Sequence, residues 1–450
     1  MSNKKTIFLS SFHPLISRNV LSTGILETLS KKARIVILIP DFKKDYFLKE
    51  FGGENILIEG VDMALSKGDL FLRRAVLALS NTRALYIKKR SQFHRDGKVM
   101  PFLGYIFPSF LGRFGVAAGT LRFIDRIFFR TFFFNDLFHK YNPDLIFSTD
   151  AQNELDVRLL KEGRLFGIKT LSMIRSWDNL TSKGILRILP DALLVNNEII
   201  KAEAVLYSHA PPEKIKVIGI PHYDKYFNVA PLPKSNFFSR FGFDLKKALV
   251  IYAPIGNRYI RENQTDKHTL EILSLLDINI LVRLPPTDEV NFDGFKSRKA
   301  LVAFDKTGTG FPKGGAKLSE ISREDETGLI AALSYANAVV TGQSTITIDA
   351  CAFDKPVIII GFDKEERIYW DSVRRYYDYE YYKPISKSGG VRFANNPEEL
   401  VNIAKKYLDD PGLDKEGRDL ILREQVFFTD GRSTERLAEA IEECIYYKYG

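Results

Sequence analysis

The chain has 450 residues, of which 45% are hydrophobic and 27% charged, with a net charge of +9 and two cysteines. That composition excludes extended disorder and a disulfide framework, and the length exceeds what one hydrophobic core ordinarily supports, so two domains are expected. The positive balance points to a polyanionic partner: nucleic acid, an anionic membrane surface or a phosphorylated substrate.

Thr6 to Ser11 reads as a first strand, followed by a helix from about Ser17 to Lys31 and a second strand from Arg34 to Ile39. Phe12-His13-Pro14 then falls in the loop at the carboxyl end of the first strand, where open α/β sheets bind ligands. His13 is expected as an exposed imidazole whose ordinary pKa suits proton transfer near neutrality; a merely solvated loop histidine is the alternative. The start carries a positive pair and a short apolar run without the length or cleavage site of a signal peptide. With Cys351 and Cys444 showing no disulfide or metal spacing, a cytoplasmic, reducing compartment is expected.

Residues 82–98 are strongly basic and lead into an uncharged, Phe-rich run over 99–112. That run falls short of the ~20 apolar residues a bilayer span needs, and Pro101 and Pro108 argue against a straight helix. Residues 82–112 therefore read as a surface resting on anionic lipid, peripheral at the inner face of the plasma membrane. Arg122, Arg126 and Arg130 fall four apart on one helical face; residues 120–140 are expected as a core helix with a solvated arginine edge, because a strand follows directly. Nucleic acid is not an expected partner, since the aromatic residues cluster with apolar neighbours and no binding signature is present.

The strand Asp144 to Ser148 ends in Thr149-Asp150, and Asp150 is a second candidate base or a helix cap. Another strand, Thr170 to Ile174, runs into Arg175-Ser176-Trp177-Asp178-Asn179, with Lys183 beyond. Trp177 offers a plate for a sugar face, Asp178 and Asn179 can bind hydroxyls, and Arg175 and Lys183 can meet phosphate; a turn in which Asp178 and Asn179 bond their own backbone is the alternative. After Asp191 to Val195 and a helix from Glu198 to His209, the stretch 227–242 lacks an apolar period. The boundary is set there, giving domains over 1–228 and 229–450.

The second domain opens with the strand Ala248 to Ala253, whose following loop holds Arg258; Arg283 stands at the end of a strand over 278–284. Both can clamp a phosphate without metal. Gly308-Thr-Gly310 lacks the third glycine of a dinucleotide motif, and no D-x-D metal motif occurs, so neither a metal nor a further cofactor is expected. Leu329 to Gly361 reads as helix, strand, tight turn, helix and strand. Its turn, Gln343-Ser344-Thr345, starts a helix whose free N–H groups suit a diphosphate, and Asp349 lies about one turn later, placed for ribose hydroxyls. A hydroxyl-capped βαβ unit is the plainer alternative.

Residues 170–224 and 326–392 resemble glycosyltransferases of the GT-B fold, in the neighbourhood of the surface-polysaccharide enzymes and the CDP-glycerol glycerophosphotransferases. The resemblance rests on the turn Gln343 to Thr345, Asp349 ahead of Ala352-Phe-Asp-Lys-Pro-Val-Ile358, and the run Gly219, Pro221, Asp224. It implies an α/β protein with two Rossmann-like domains facing across a central cleft, the acceptor bound by the first and the donor by the second, and a C-terminal helix packing back on the first. The implied activity is metal-independent transfer of a sugar from a nucleotide-activated sugar to a glycan or lipid-linked acceptor in bacterial surface polysaccharide synthesis. His13, or failing it Asp178 or Asp150, would be the base; Arg258, Arg283 and Gln343 to Thr345 would hold the diphosphate. The alternatives are a CDP-polyol phosphotransferase and a non-catalytic glycan- or membrane-binding scaffold. Phosphotransferases of this kind commonly place a His before Tyr-Lys-Pro, where this chain has Tyr381 and then Tyr382.

Overall fold

The computed structural model describes residues 4–97, 99–313 and 318–446. The chain divides into two compact units, one comprising Met1–Phe227 and Phe427–Gly450, the other Asn228–Val426. Each is built on one parallel sheet with helices on both faces.

The first sheet holds β1 (Thr6–Ser10), β2 (Arg34–Pro40), β3 (Ile56–Val61), β4 (Leu145–Ser148), β5 (Lys169–Met173), β6 (Ala192–Val195) and β7 (Ile215–Val217). Their order is β3-β2-β1-β4-β5-β6-β7. These strands are nearly continuous apolar runs because both faces are covered. Ile7, Leu9, Ile35 and Ile37 point into one core and Phe8, Val36, Leu38 and Ile146 into the other. The alternation follows from the two-residue period of the strand.

The second sheet holds β8 (Leu249–Ala253), β9 (Asn279–Leu284), β10 (Leu301–Lys306), β11 (Ala338–Thr341), β12 (Val357–Ile360) and β13 (Val391–Ala394) in the order β10-β9-β8-β11-β12-β13. In both sheets the order reverses once, between β1 and β4 and between β8 and β11. Loops leaving those strand pairs diverge and open a crevice at the carboxyl edge. His13 and Asp150 sit at the first such point, Arg258 and Gln343 to Thr345 at the second.

Three expectations need correction. The helix expected over 17–31 is broken into Ile16–Asn19, a short 3-10 turn and Ile25–Ser30, because Gly24 adopts φ +92°. Residues 99–111 are helical despite two prolines: Pro101 lies in the first turn, where no N–H partner is needed, and Pro108 is accommodated inside. The third concerns 120–140, expected as a core helix. In the Gly115–Phe128 helix only Ala118 and Asp125 are buried. No single helix among the described residues is long and apolar enough to cross a membrane; Val99–Leu111 and Gly115–Phe128 pass together but are bent by 108°.

The terminal helix, Ser433–Tyr446, lies in the sequence range assigned to the second domain. It packs on the first sheet, placing Leu437, Ile441, Cys444 and Ile445 in the same core as Ile7 and Leu9.

Candidate active site

At the β1/β4 switch point Asp150 is the hub. Arg175 Nε donates to its Oδ2 at 2.9 Å and Asn179 Nδ2 to its Oδ1 at 3.2 Å, while Lys183 Nζ donates to Asn179 Oδ1 at 2.8 Å. The order follows from local folding: β5 delivers Arg175 at its carboxyl end, and the single-turn helix Asn179–Ser182 turns Asn179 and Lys183 back over Asp150. Burial alone would raise the Asp150 carboxyl, but Arg175, Lys183 and His13 hold it down at about 2. It is ionised and fully engaged.

Around it gathers a surplus of positive charge. Lys43, just after β2, is 1% exposed. Burial pushes the Lys183 ammonium below its ordinary range, with Arg175 adding repulsion. His13 meets the same field: burial first, then Arg175, Lys183 and Lys43, push its imidazole down to about 3 against the pull of Asp150. Leu15 N–H donates to His13 Nδ1 at 3.2 Å. His13 is therefore a half-buried neutral imidazole, not the exposed, freely titrating one expected from the sequence.

Asp178 differs from Asp150. It is half-buried rather than sealed, and Ser182 Oγ donates to its Oδ2 at 3.1 Å. Burial would raise its carboxyl, but Lys183, Ser176 and Arg175 keep it below its usual range. Trp177 is buried beside it. The structure thus brings together His13, Asp150, Arg175, Trp177, Asp178, Asn179 and Lys183. Lys43 was not singled out from the sequence, although its place directly after a strand was the available signal. Below the cluster Asp156 accepts from Ser10, and burial with the Asp150 charge pushes it up to about 8. No sequence pattern marks it.

At the β8/β11 switch point the turn after β11 is pressed against the loop after β8. A Cβ on Gly342 would meet Ile255 Cγ1 at 2.6 Å, so only glycine permits the approach. Ser344 Oγ accepts from Ile346 N–H at 3.4 Å, and the Ile346–Ala352 helix follows. Gln343 Oε1 is buried and finds no hydrogen-bond partner among the described residues. Thr345 is exposed and Asp349 is 4% exposed, one turn in.

The β8 loop is held from below by Asp266, which accepts from Ile255 N–H at 2.8 Å, Gly256 N–H at 2.9 Å and Tyr252 Oη at 2.7 Å. Arg258 is exposed above it, its Nη2 donating to the Thr287 carbonyl at 3.1 Å. Arg283 is placed differently. Its guanidinium pairs with Asp305 and donates to the Asp325 carbonyl at 2.9 Å, so its charge is already met within the unit. Tyr381 and Tyr382 are buried in the core. Arg375 Nη2 and Tyr376 Oη reach the Tyr259 carbonyl at 3.0 Å and 2.8 Å, fastening the aromatic segment to the Arg258 loop.

Comparison of the fold finds a glycosyltransferase from Rickettsia africae ESF-5 at a TM-score of 0.54 and 12% identity, covering 99% of this chain and 100% of that one. UDP-GlcNAc 2-epimerase from Methanocaldococcus jannaschii has a TM-score of 0.54 at 15% identity, covering 98% and 99%. The wall teichoic acid polymerase TagF has 0.53 at 11%, covering 98% of this chain and 89% of that one. At such identities these similarities show the fold, which is the GT-B pair of Rossmann-like domains. Among curated proteins no sequence match was found. The family model described as CDP-glycerol:poly(glycerophosphate) glycerophosphotransferase matches residues 190–443, more than half of the chain and all of its second unit. The chain belongs to the CDP-glycerol:poly(glycerophosphate) glycerophosphotransferase family.

Proposed function

We propose that the protein transfers a polyol phosphate from a CDP-activated polyol to a hydroxyl of a bacterial surface polymer. The observation that carries this reading is the family match, which spans the β8/β11 switch point where a nucleotide would bind. The acceptor oxygen bonds to the β-phosphorus of the donor, the bond from that phosphorus to the bridging oxygen breaks, CMP departs, and the acceptor proton passes to a base. Asp178 is that base: it is ionised and half-buried, whereas Asp150 is sealed and the one acceptor nitrogen of neutral His13 is taken by Leu15 N–H. Asp150 positions Arg175, and the fully buried Asn179, expected from the sequence to bind the acceptor, instead positions Lys183; Arg175, Trp177 and Lys183 seat the acceptor.

On the donor side Arg258 and the Gln343 to Thr345 turn meet the diphosphate, and Asp349 meets the ribose. Arg283 shapes the strand end through Asp305. A second reading, transfer of a sugar from a nucleotide-activated sugar to a glycan or lipid-linked acceptor, is favoured by Tyr381 and Tyr382 standing where a phosphotransferase commonly carries His.

The reading includes a cytoplasmic place on an anionic membrane face. Support comes from the exposed apolar side chains of residues 99–132, among them Phe107 at 69% and Phe128 at 73% exposure, beside Lys88, Arg113, Arg126 and Arg130. Lys98 of the basic run lies outside the described residues.

Thermal stabilisation by CDP, UDP, GDP and their polyol or sugar conjugates tests the donor site, with Asp349→Ala alongside. A rise in melting temperature with CDP-glycerol, lost in the variant, is expected, and the product should be a phosphodiester. A glycosidic product would select the second reading; no shift with any nucleotide would sink both.

A further inference from the structure

At the opposite, amino edge of the first sheet, away from the β1/β4 switch point, lies a cavity of about 700 Å³. The Gly115–Phe128 helix supplies Arg126 to its wall, the turn that follows supplies Arg130, and the segment leading into β7 supplies Lys214. The two acidic groups in the wall are already engaged. Asp125 pairs with Lys161 and with Arg187, the latter at 2.9 Å. Glu162 accepts from Thr131, from Phe133 N–H at 2.9 Å and from Phe134 N–H at 2.7 Å. Arg126, Arg130 and Lys214, all exposed, have no carboxylate partner among the described residues.

Arg122 and Arg164 also reach the wall but spend their guanidinium donors on the backbone carbonyls of Leu186, Ser208 and Leu189. Apolar side chains, including Phe123, Leu165 and Leu189, complete it. Phe123 is also part of the exposed aromatic face that continues to Ile127 and Phe128. A ligand complementary to both halves carries an anionic phosphate at one end and hydrocarbon at the other. We propose that this cavity binds the phosphate headgroup of an anionic lipid, at a site separate from the transfer reaction. The proposal rests on the membrane reading only for the source of its ligand.

Calorimetric titration with dihexanoylphosphatidylglycerol, kept below its micelle concentration, tests the site without requiring a bilayer. Glycerol 3-phosphate and dihexanoylphosphatidylcholine serve as the tail-free and zwitterionic arms. The expected result is one lipid bound per chain, with each control arm weaker by roughly tenfold or more, and a similar loss in the Arg126→Gln/Arg130→Gln variant. Those arginines are exposed, so circular dichroism should find the variant folded.

No binding of the lipid, or equal binding by the folded variant, overturns the proposal. Glycerol 3-phosphate bound as tightly as the lipid overturns the lipid assignment in favour of a free phosphate ester; phosphatidylcholine bound as tightly overturns the anionic one. Flotation with phosphatidylglycerol vesicles runs beside it. Loss of flotation with the titration intact would sink the membrane reading and leave the site standing.

Discussion

Leu15 N–H occupies His13 Nδ1, so the neutral imidazole carries its hydrogen on Nε2 and faces the Arg175, Lys183 and Lys43 field as a donor. The unfolded chain titrates this group near 6.5 and the folded one near 3. Between those values the unfolded state binds more protons, so stability falls as pH drops through the window, by at most about 1.4 kcal/mol per pH unit. His222, buried and pushed down, acts in the same direction; Asp156, pushed up to about 8, acts in the opposite one. The difference between wild type and His13→Gln isolates the first of these. In urea melts from pH 7 to pH 5 the wild type should lose stability that the variant keeps, and a flat difference would show that His13 is not held neutral. For the reaction, Asp178→Asn should lower kcat roughly 10²- to 10⁴-fold while leaving nucleotide-induced stabilisation intact, because the donor turn lies in the other unit. Activity retained at more than a tenth of wild type would remove Asp178 as the base. The gathering of Arg175, Asp178 and Lys183 was readable in the sequence, since strand ends and turn residues mark themselves. The engagement of Asp150 and the low basicity of His13 were not, because they depend on tertiary placement: Asp150 meets Arg175 and Asn179 from the next strand end, and His13 meets charges more than a hundred residues away in the chain.

The Gly115–Phe128 helix is inverted. Two of its polar side chains turn inward: Asp125 meets Lys161 and Arg187, and Arg122 Nε donates to the Leu186 carbonyl at 2.9 Å, while Phe123, Ile127 and Phe128 turn out with Arg126. The Arg187 guanidinium also reaches Glu154, and Arg158 reaches Asp69 at the start of the Lys67–Leu79 helix, so one ionic network ties three helices. Removing one member strands buried charge. Asp125→Ala should cost about 3–5 kcal/mol, seen as a lower urea midpoint of the first unit, and should free the aromatic helix to proteolysis. A change under about 1 kcal/mol would mean the network is dispensable. Helical periodicity found this helix but assigned its buried side wrongly. Periodicity reports which residues share a face; it does not report which face looks inward when ion pairs, rather than hydrocarbon, do the anchoring.

The central strands of both sheets are apolar runs separated by helical patterns, and so were open to reading from the sequence, as was the placing of loops at their carboxyl ends; the outer strands β3, β10 and β13 passed unread and the strand orders have no local signal. The return of the terminal helix was expected only through resemblance, because nothing local in Ser433–Tyr446 names its partner sheet. Its side chains Leu437 and Ile441 are fully buried there. Each buried residue of that kind contributes about 1.5–3 kcal/mol, so losing several approaches the ~5–15 kcal/mol that holds a domain together. A chain ending at Arg432 should therefore lose the calorimetric transition of the first unit and keep that of Asn228–Val426; two intact transitions would show the helix to be accessory. The same arrangement has a temporal meaning. A ribosome adding ~5–20 residues per second needs roughly 10–40 s after completing β7 to produce the helix that closes the first core. During that interval the earliest-made half of the protein waits with an apolar sheet face uncovered, a client for chaperones, while the whole of Asn228–Val426 is still being made.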